Sequence, residues 1–266
     1  FDEDGSGSIS LSGSDVDGDD LIYALSGGDQ ITFTHDDGMY TPNITFSAPE
    51  NYNGSETFTI YLNDNNGGED SQNITVTVNP VNDAPTVDDF AGTTLEDTDF
   101  VLELDATDID GDALTFLASV AANGSASVSG STLTVTPAAD YNGTLEVTVT
   151  ASDGQASGSG TLTLDVTPVN DAPVIAGLED QVIDEDTSLT FDINGSDVDG
   201  DDLTYSAVNG GATIEVNGST LTLTPPANYN GSGEVVVTVN DGELETTESF
   251  TLTVSPVNDA PTVDDF

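Results

Sequence analysis

Acidic side chains recur in a fixed pattern along this 266-residue chain. A loop of the form Asp-x-Asp-Gly-Asp begins at Asp15, Asp108 and Asp197. Two carboxylates separated by one residue in a loop can converge on one point, and the glycine permits a sharp turn. Calcium takes six to eight oxygen ligands, largely carboxylates, so the pattern predicts calcium binding. The alternative is that these aspartates form turns and accept only backbone N–H groups.

Each loop belongs to a larger set of oxygen-bearing side chains that occurs three times in register. A glutamate precedes the loop, a further aspartate lies about 45 residues after it, and an Asn-Asp pair closes the set. The three sets are Glu3, Asp15, Asp17, Asp64, Asn82 and Asp83; Glu96, Asp108, Asp110, Asp153, Asn170 and Asp171; and Glu185, Asp197, Asp199, Asp241, Asn258 and Asp259.

The charge balance of the chain is extreme. There are 50 acidic residues, of which 36 are Asp, with no Lys, no Arg and one His, and the formal net charge is −50. Nucleic-acid binding requires cationic side chains that replace phosphate counterions, so it is excluded. Attraction to an anionic membrane surface is excluded for the same reason. The carboxylates must therefore be solvated, hydrogen-bonded or neutralised by a cation from outside the chain.

Repeated motifs divide the chain into units of domain size. Val-Asn-Asp-Ala-Pro begins at Val81, Val169 and Val257, with a spacing of 88 residues, and Tyr-Asn-Gly follows nearly the same spacing. A period of this length suits a small domain with its own core. The predicted domains are residues 1–82, with a truncated start and an insertion near 27–42, then 83–170 and 171–258. Residues 259–266 are predicted to start a further repeat.

The sequence pattern of the segments between these loops predicts β-strands. Apolar residues alternate with Thr and Ser, for example at Leu145, Val147 and Val149, and Asp-Gly and Gly-Ser pairs separate the runs. Strict alternation is typical of half-buried strands. About seven short strands per repeat predict an all-β chain, a tandem array of three Greek-key β-sandwich domains. The tyrosine of each Tyr-Asn-Gly is predicted to be a core or corner residue.

Three stretches resemble the cadherin repeat, particularly the cadherin-like tandem repeats of large bacterial surface proteins. The stretch 106–116 resembles the cadherin Asp-x-Asp loop that leads into a strand with an aromatic residue. Ala151-Ser152-Asp153 resembles the Ala-x-Asp turn, and Val81–Pro85 resembles the linker between domains. The resemblance covers nearly the whole chain three times and implies a cadherin- or immunoglobulin-like sandwich with calcium held between consecutive domains.

The resemblance also implies which residues share an ion. The first junction would comprise Glu3, Asn82, Asp83, Asp108, Asp110 and Asp153, and the second junction Glu96, Asn170, Asp171, Asp197, Asp199 and Asp241. Asp15, Asp17 and Asp64 would serve an upstream neighbour, and Glu185, Asn258 and Asp259 a downstream one. The cadherin Asp-Arg-Glu motif is absent, with Asp140 as a partial substitute, and alanine replaces the second linker Asn. One or two ions per junction are therefore expected.

The resulting hypothesis is a calcium-stiffened extracellular spacer of a long adhesin or cell-surface filament. Its partners would be neighbouring repeats of the same array, with possible self-association into a filament and no insertion into a membrane. A calcium-dependent carbohydrate-binding module is the alternative. An enzyme is not expected, because a nucleophilic triad needs a base and His35 is the only histidine. With no Cys and a single His, no zinc-ligand cluster exists either.

Overall fold

A computed structural model describes residues 1–36, 42–209 and 211–261. Residues 37–41 of the predicted insertion and residues 262–266 of the predicted further repeat lie outside this part. All regular secondary structure in the described residues is β-strand, which confirms the predicted all-β class. Among these residues, no helix has the length and apolar character needed to cross a membrane.

Twenty-two strands run through the described part of the chain. The first repeat contains β1 (Ser6–Ser10), β2 (Ile22–Gly27), β3 (Thr32–His35), β4 (Asn43–Ser47), β5 (Gly54–Asn63) and β6 (Glu69–Val78). The second contains β7 (Phe90–Leu95), β8 (Phe100–Glu103), β9 (Thr115–Val120), β10 (Gly124–Ser129), β11 (Thr132–Pro137), β12 (Gly143–Ser152) and β13 (Ser157–Thr167). The third contains β14 (Val174–Ala176), β15 (Gln181–Asp184), β16 (Leu189–Asp192), β17 (Asn194–Ser196), β18 (Thr204–Asn209), β19 (Thr213–Asn217), β20 (Thr220–Thr224), β21 (Gly231–Asn240) and β22 (Glu245–Ser255).

The chain forms two compact units. The first comprises Phe1–Gly92, Phe100–Val135 and Leu145–Leu164, and the second comprises Thr93–Asp99, Thr136–Thr144 and Asp165–Phe266. The middle repeat contributes to both units. All six residues of the first junction belong to the first unit, and all six of the second junction belong to the second unit.

The first repeat is a sandwich of two antiparallel sheets. One sheet has the order β1-β4-β3 and the other β2-β5-β6, so the chain changes sheet between β1 and β2, between β2 and β3 and between β4 and β5. Phe46 of the first sheet and Phe58 and Val78 of the second are almost completely buried and belong to one core. These crossings between sheets are the Greek-key connections that the strand spacing predicted.

The alternating apolar residues of the second and third repeats are buried as predicted. In the second, Leu133 and Val135 on β11 and Val147 and Val149 on β12 have no exposed surface. The third repeat has sheets β15-β22-β21-β18 and β16-β20-β19, with a single core between them. In the first repeat the alternation is less complete, since Ile60, Leu62 and Ile74 are only half-buried.

Local sterics explain the recurring Tyr-Asn-Gly. The glycines Gly54, Gly143 and Gly231 have φ of +154°, +131° and +148°, a region that side chains rarely adopt. A Cβ on Gly143 would lie 3.1 Å from the hydroxyl of Tyr141, because the tyrosine folds back over its own turn. That hydroxyl donates a hydrogen bond of 3.0 Å to the Thr144 carbonyl, downstream of the turn. The tyrosine is half-buried and closes the turn, as a structural residue.

One carboxylate organises the start of the insertion in the first repeat. Glu56 accepts hydrogen bonds from the backbone N–H groups of Asp29, Gln30 and Ile31 at 2.7, 2.8 and 3.1 Å. Burial alone would raise the pKa of Glu56, but these N–H groups and the Tyr52 hydroxyl lower it below its usual value.

His35 is exposed on β3 and borders a cavity of about 610 Å³ lined mainly by apolar side chains.

Truncating a buried core residue tests this packing. We expect Leu223→Ala to lower the free energy of unfolding of the third repeat by about 2–5 kcal/mol, because Leu223 has no exposed surface and its loss leaves a cavity. Val208→Ala, at a residue with 65% exposure, is the control and should change it by less than about 0.5 kcal/mol. Denaturant unfolding followed by circular dichroism measures both. Equal effects would contradict the assigned core.

Candidate metal centres

Strand pairing places the glutamate of each set beside the linker that follows its repeat. In the third repeat β15 runs parallel to β22, with Asp184 opposite Ser255. The next residue, Glu185, donates its backbone N–H to the Ser255 carbonyl at 2.9 Å. Glu3 and Glu96 make the equivalent bonds to Asn79 and Thr167, both at 2.9 Å. In each repeat, backbone pairing therefore places a glutamate carboxylate at the point where the last strand ends.

The three glutamates are buried. Glu3, Glu96 and Glu185 are 5%, 2% and 6% exposed. One oxygen of each accepts the backbone N–H of the linker valine, as in the 2.7 Å bond from Val257 to Glu185. A buried carboxylate is costly unless it is paired and hydrogen-bonded. Since the chain has no Lys or Arg, no such side chain can supply the opposite charge.

The Asp-x-Asp loops are shaped by one oxygen of their first aspartate. Asp108 Oδ1 accepts the N–H groups of Asp110 and Asp112 at 3.0 and 3.2 Å. Asp15 Oδ1 and Asp197 Oδ1 accept equivalent bonds from their own loops. The second oxygens of Asp108 and Asp197 are buried and have no hydrogen-bond partner. Turn formation therefore explains the contacts of only one oxygen in each of these two carboxylates.

The linker is bonded to the repeat that follows it. The N–H of Asp83 donates to Asp110 Oδ2 at 2.9 Å, and that of Asp171 donates to Asp199 Oδ2 at 2.8 Å. The side-chain amide of Asn82 donates to Asp153 Oδ2 at 2.8 Å. Asn170 donates to Asp241 in the same way at 3.0 Å.

The later aspartate of each set is held by the turn in which it lies. Asp153 Oδ1 accepts N–H groups from Gln155 and Ala156, both at 2.6 Å. The hydrogen bonds from Ala156, Asn82 and Gln155 lower the pKa of Asp153 below its usual range. For Asp241 the bonds from Leu244, Glu243 and Asn170 lower the pKa in the same way. The folded state therefore favours the ionised form of both carboxylates.

Each junction brings three carboxylates from separate parts of the chain together. One group is Glu3, Asp83 and Asp110, and its counterpart is Glu96, Asp171 and Asp199. Within each group one oxygen per residue lies within 4.8 Å of the others. Ligands on opposite sides of a calcium ion lie about 4.6–5.2 Å apart, twice the ion–oxygen distance, so this spacing fits calcium. One oxygen of Asp83 and one of Asp171 are buried without a hydrogen-bond partner.

The like charges act on the linker aspartates. Burial raises the pKa of Asp83 above its usual value, and the charges of Asp110, Asp4 and Glu3 raise it further. Burial likewise raises the pKa of Asp171, followed by the charges of Asp140 and Asp199. A cation bound among these carboxylates would offset their mutual repulsion, so the linker aspartates could remain ionised.

The remaining predicted ligands are not brought into such groups. Asp15 Oδ1 accepts the N–H groups of Asp17 and Asp19, and Asp64 Oδ1 accepts those of Asn66 and Gly68, all within their own turns. Asn258 donates to the carbonyl of Asp259. Within residues 1–36, 42–209 and 211–261, none of these aspartates joins a group of three acids from different parts of the chain.

Two acids outside the predicted ligand sets also lie at the second junction. Asp97 and Asp140 form a further group with Asp171, again with oxygens within 4.8 Å. Asp97 follows the buried Glu96 directly, and Asp140 precedes Tyr141 of the Tyr-Asn-Gly turn. Asp97 is part of the repeated Glu-Asp pair, which was the available signal, but spacing alone does not show that Asp97 and Asp140 meet.

Comparison with known proteins identifies the repeats. A family model described as "Bacterial Ig domain" matches residues 1–77, 82–167 and 170–255. The chain belongs to the bacterial Ig domain family. Its three bacterial Ig domains are arranged in tandem, which confirms the expected class of a repeated immunoglobulin-like sandwich.

Solved cadherin ectodomains share the fold of these bacterial Ig domains. The EC22-24 fragment of mouse cadherin-23 matches with a TM-score of 0.55 at 19% identity, covering 90% of this chain and 87% of that fragment. PcdhgB3 EC1-4 matches with a TM-score of 0.54 at 16% identity, covering 95% and 72%. The cadherin-like resemblance of the sequence is confirmed at the level of the fold.

A further similarity is to an enzyme. Chitinase A of Pseudoalteromonas piscicida is 31% identical over 169 residues, which are 61% of this chain and 20% of the chitinase. The matched part of the chain thus spans about a fifth of the length of that relative.

The pKa shifts predict opposite effects of two substitutions in metal-free buffer. Asp171→Asn should raise the melting temperature at pH 7, because the folded state disfavours ionised Asp171. The gain should vanish as the pH falls below the ordinary value of 3.8, where wild-type Asp171 is protonated in both states. Asp241→Asn should lower the melting temperature at pH 7, since its carboxylate is stabilised when ionised. That loss should fade as the pH falls through the lowered pKa.

Thermal unfolding in EDTA between pH 7 and pH 3 measures both variants against wild type. A destabilising Asp171→Asn at pH 7 would contradict the assigned repulsion at the second junction.

Proposed function

We propose that this chain is a calcium-stiffened extracellular spacer built of bacterial Ig domains. The observation that supports it most is the convergence of Glu3, Asp83 and Asp110, repeated by Glu96, Asp171 and Asp199. Each group combines a buried glutamate, a linker aspartate whose Oδ2 has no hydrogen-bond partner and an aspartate of the next loop. Carboxylate oxygens are the ligands that calcium prefers.

The ligands come from three segments that are far apart in the sequence. In the first junction they are the segment before β1, the linker and the Asp-x-Asp loop of the following repeat. An ion shared by these segments ties the linker to the repeat on each side. Without the ion, the carboxylates repel one another, and the linker keeps its hydrogen bonds to Glu3, Asp110, Asp153 and Gln155.

The proposed role is mechanical, with no catalysis by this chain. Two observations favour it. The acidic groups occur at both junctions. The one histidine, His35, is exposed and lies in the first repeat, with no counterpart in the other two. A spacer in a calcium-rich extracellular medium would keep its sites filled, and the remaining solvated acids would keep the array extended. Neighbouring repeats of the same array are the proposed partners, including end-to-end or lateral contacts in an adhesin or surface filament.

Calcium should raise the stability of the chain and restrict its motion. A ligand that binds only the folded state stabilises it by about 2.7 kcal/mol per site at a hundredfold excess over Kd. We therefore expect millimolar Ca²⁺, added after EDTA, to raise the melting temperature by several degrees and to increase the radius of gyration in small-angle scattering. An unchanged radius of gyration would contradict stiffening at the junctions.

A double variant connects this effect to the proposed ligands. Asp110→Asn with Asp199→Asn should lower calcium affinity at both junctions and leave each sandwich folded. Asp105→Asn with Asp165→Asn removes the same charge from exposed acids outside the acidic groups of the described residues. If the control loses as much calcium affinity as the ligand variant, general acidity is responsible for the binding.

A calcium-dependent carbohydrate-binding module is a second candidate, favoured by the similarity to Chitinase A. We expect that, if this role applies, the chain sediments with insoluble chitin in Ca²⁺ and is released by EDTA. Cellulose serves as the control polysaccharide. Absence of binding to chitin in saturating Ca²⁺ would leave the spacer role as the one supported.

A further inference from the structure

The linker asparagines of the two junctions make the same hydrogen bonds with one exception. In both linkers the side-chain amide donates to the later aspartate of the next repeat, at 2.8 Å from Asn82 and 3.0 Å from Asn170. At the first junction the asparagine also accepts a bond of 2.7 Å, from Gln155 Nε2 to Asn82 Oδ1. Within residues 1–36, 42–209 and 211–261, no equivalent bond reaches Asn170 Oδ1. The two linkers therefore differ by one donor.

The difference comes from the residue two positions after the later aspartate. Gln155 follows Asp153, and Glu243 follows Asp241 at the same spacing. The backbone is held alike at both places, because the N–H of Gln155 donates to its aspartate at 2.6 Å and that of Glu243 at 2.7 Å. A side-chain amide can donate to an asparagine oxygen, whereas an ionised carboxylate only accepts. Glutamate therefore cannot make the bond that Gln155 makes.

These bonds fix the orientation of the Asn82 amide. Asp153 is an acceptor only, so the Asn82 atom that faces it must be Nδ2. Nδ2 also donates to the Asp83 carbonyl at 2.9 Å, and Oδ1 is the atom that faces the Gln155 amide. Both ends of the Asn82 amide are thus bonded to protein groups, and the linker is tied to the second repeat without an ion.

We propose that Gln155, Asn82 and Asp153 form a metal-independent latch between the first linker and the second repeat. Asn82 then acts as a hydrogen-bonding residue in place of the metal ligand that its motif predicts. The second junction has the asparagine and the aspartate but lacks the third member, so its linker opens more readily in the ion-free chain.

The latch has a consequence for the response of the chain to calcium, and this consequence rests on the proposed function. Removal of calcium should loosen the second junction more than the first, because only the first keeps a complete latch. The two junctions of one chain would then depend unequally on the ion.

Exchange of the two side chains tests the latch in the full chain. Gln155→Glu and Gln155→Ala should each speed hydrogen exchange of the Asp83 N–H in EDTA about two- to tenfold, because each removes the donor to the linker asparagine. Glu243→Gln should slow exchange of the Asp171 N–H by a similar factor, since it supplies the missing donor. Amide exchange followed by NMR measures both rates.

Glu248→Gln is the matched control for Glu243→Gln, because it removes one charge from an exposed acid on β22 of the same repeat. It should leave exchange of the Asp171 N–H unchanged. Gln155 is exposed, so its variants should fold, which circular dichroism verifies. The latch is overturned if neither Gln155 variant speeds exchange, if Glu243→Gln does not slow it, or if the control slows it equally.

The calcium response is measured separately. Added CaCl₂ should slow exchange of the Asp171 N–H in wild type by a larger factor than exchange of the Asp83 N–H, and equal factors would contradict the unequal dependence. If wild type binds no Ca²⁺ in calorimetric titration, the proposed calcium binding fails, while the exchange rates in EDTA still decide the latch.

Discussion

The structure depends on the burial of a glutamate carboxylate at the start of each repeat in a chain that has no Lys and no Arg. An isolated buried charge is one of the most unfavourable features that a folded protein can contain. Here the backbone N–H of the linker valine satisfies one oxygen, and strand pairing brings this N–H to the glutamate. The second oxygen of Glu96 and of Glu185 accepts a long bond of 3.5 Å from Asn142 or Asn230, and no Lys or Arg balances the charge.

The two oxygens of each loop aspartate likewise have different environments. One oxygen of Asp108 or Asp197 closes its turn, while the other is buried without a partner. The aspartates are therefore turn formers through one oxygen and candidate ligands through the other, so the two interpretations of the motif apply to different atoms. Each of these two aspartates also lies in a group with the other aspartates of its own loop, with one oxygen per residue within 4.8 Å, and its second oxygen remains without a partner there.

Much of the fold could be predicted from the sequence, because alternation identifies a buried face without knowledge of the partner sheet. Val147, Val149, Leu221 and Leu223 are buried as their period indicates. The half-burial of Ile60 and Leu62 could not be predicted, because it depends on how fully the facing sheet covers them. The meeting of Asp97 with Asp140 was also unpredictable, since a carboxylate and a turn 43 residues apart become neighbours only through sheet packing.

The sequence by itself determined the class of the molecule: an acidic, all-β tandem array whose Asp-rich loops recur with the domains. These features can be recognised in the sequence because period, charge and turn residues are local properties and each occurs in three copies. Only the tertiary structure decided which carboxylates share a site and which oxygen of each is already bonded. Those outcomes depend on distances between segments remote in sequence, and such distances exist only once the strands have paired.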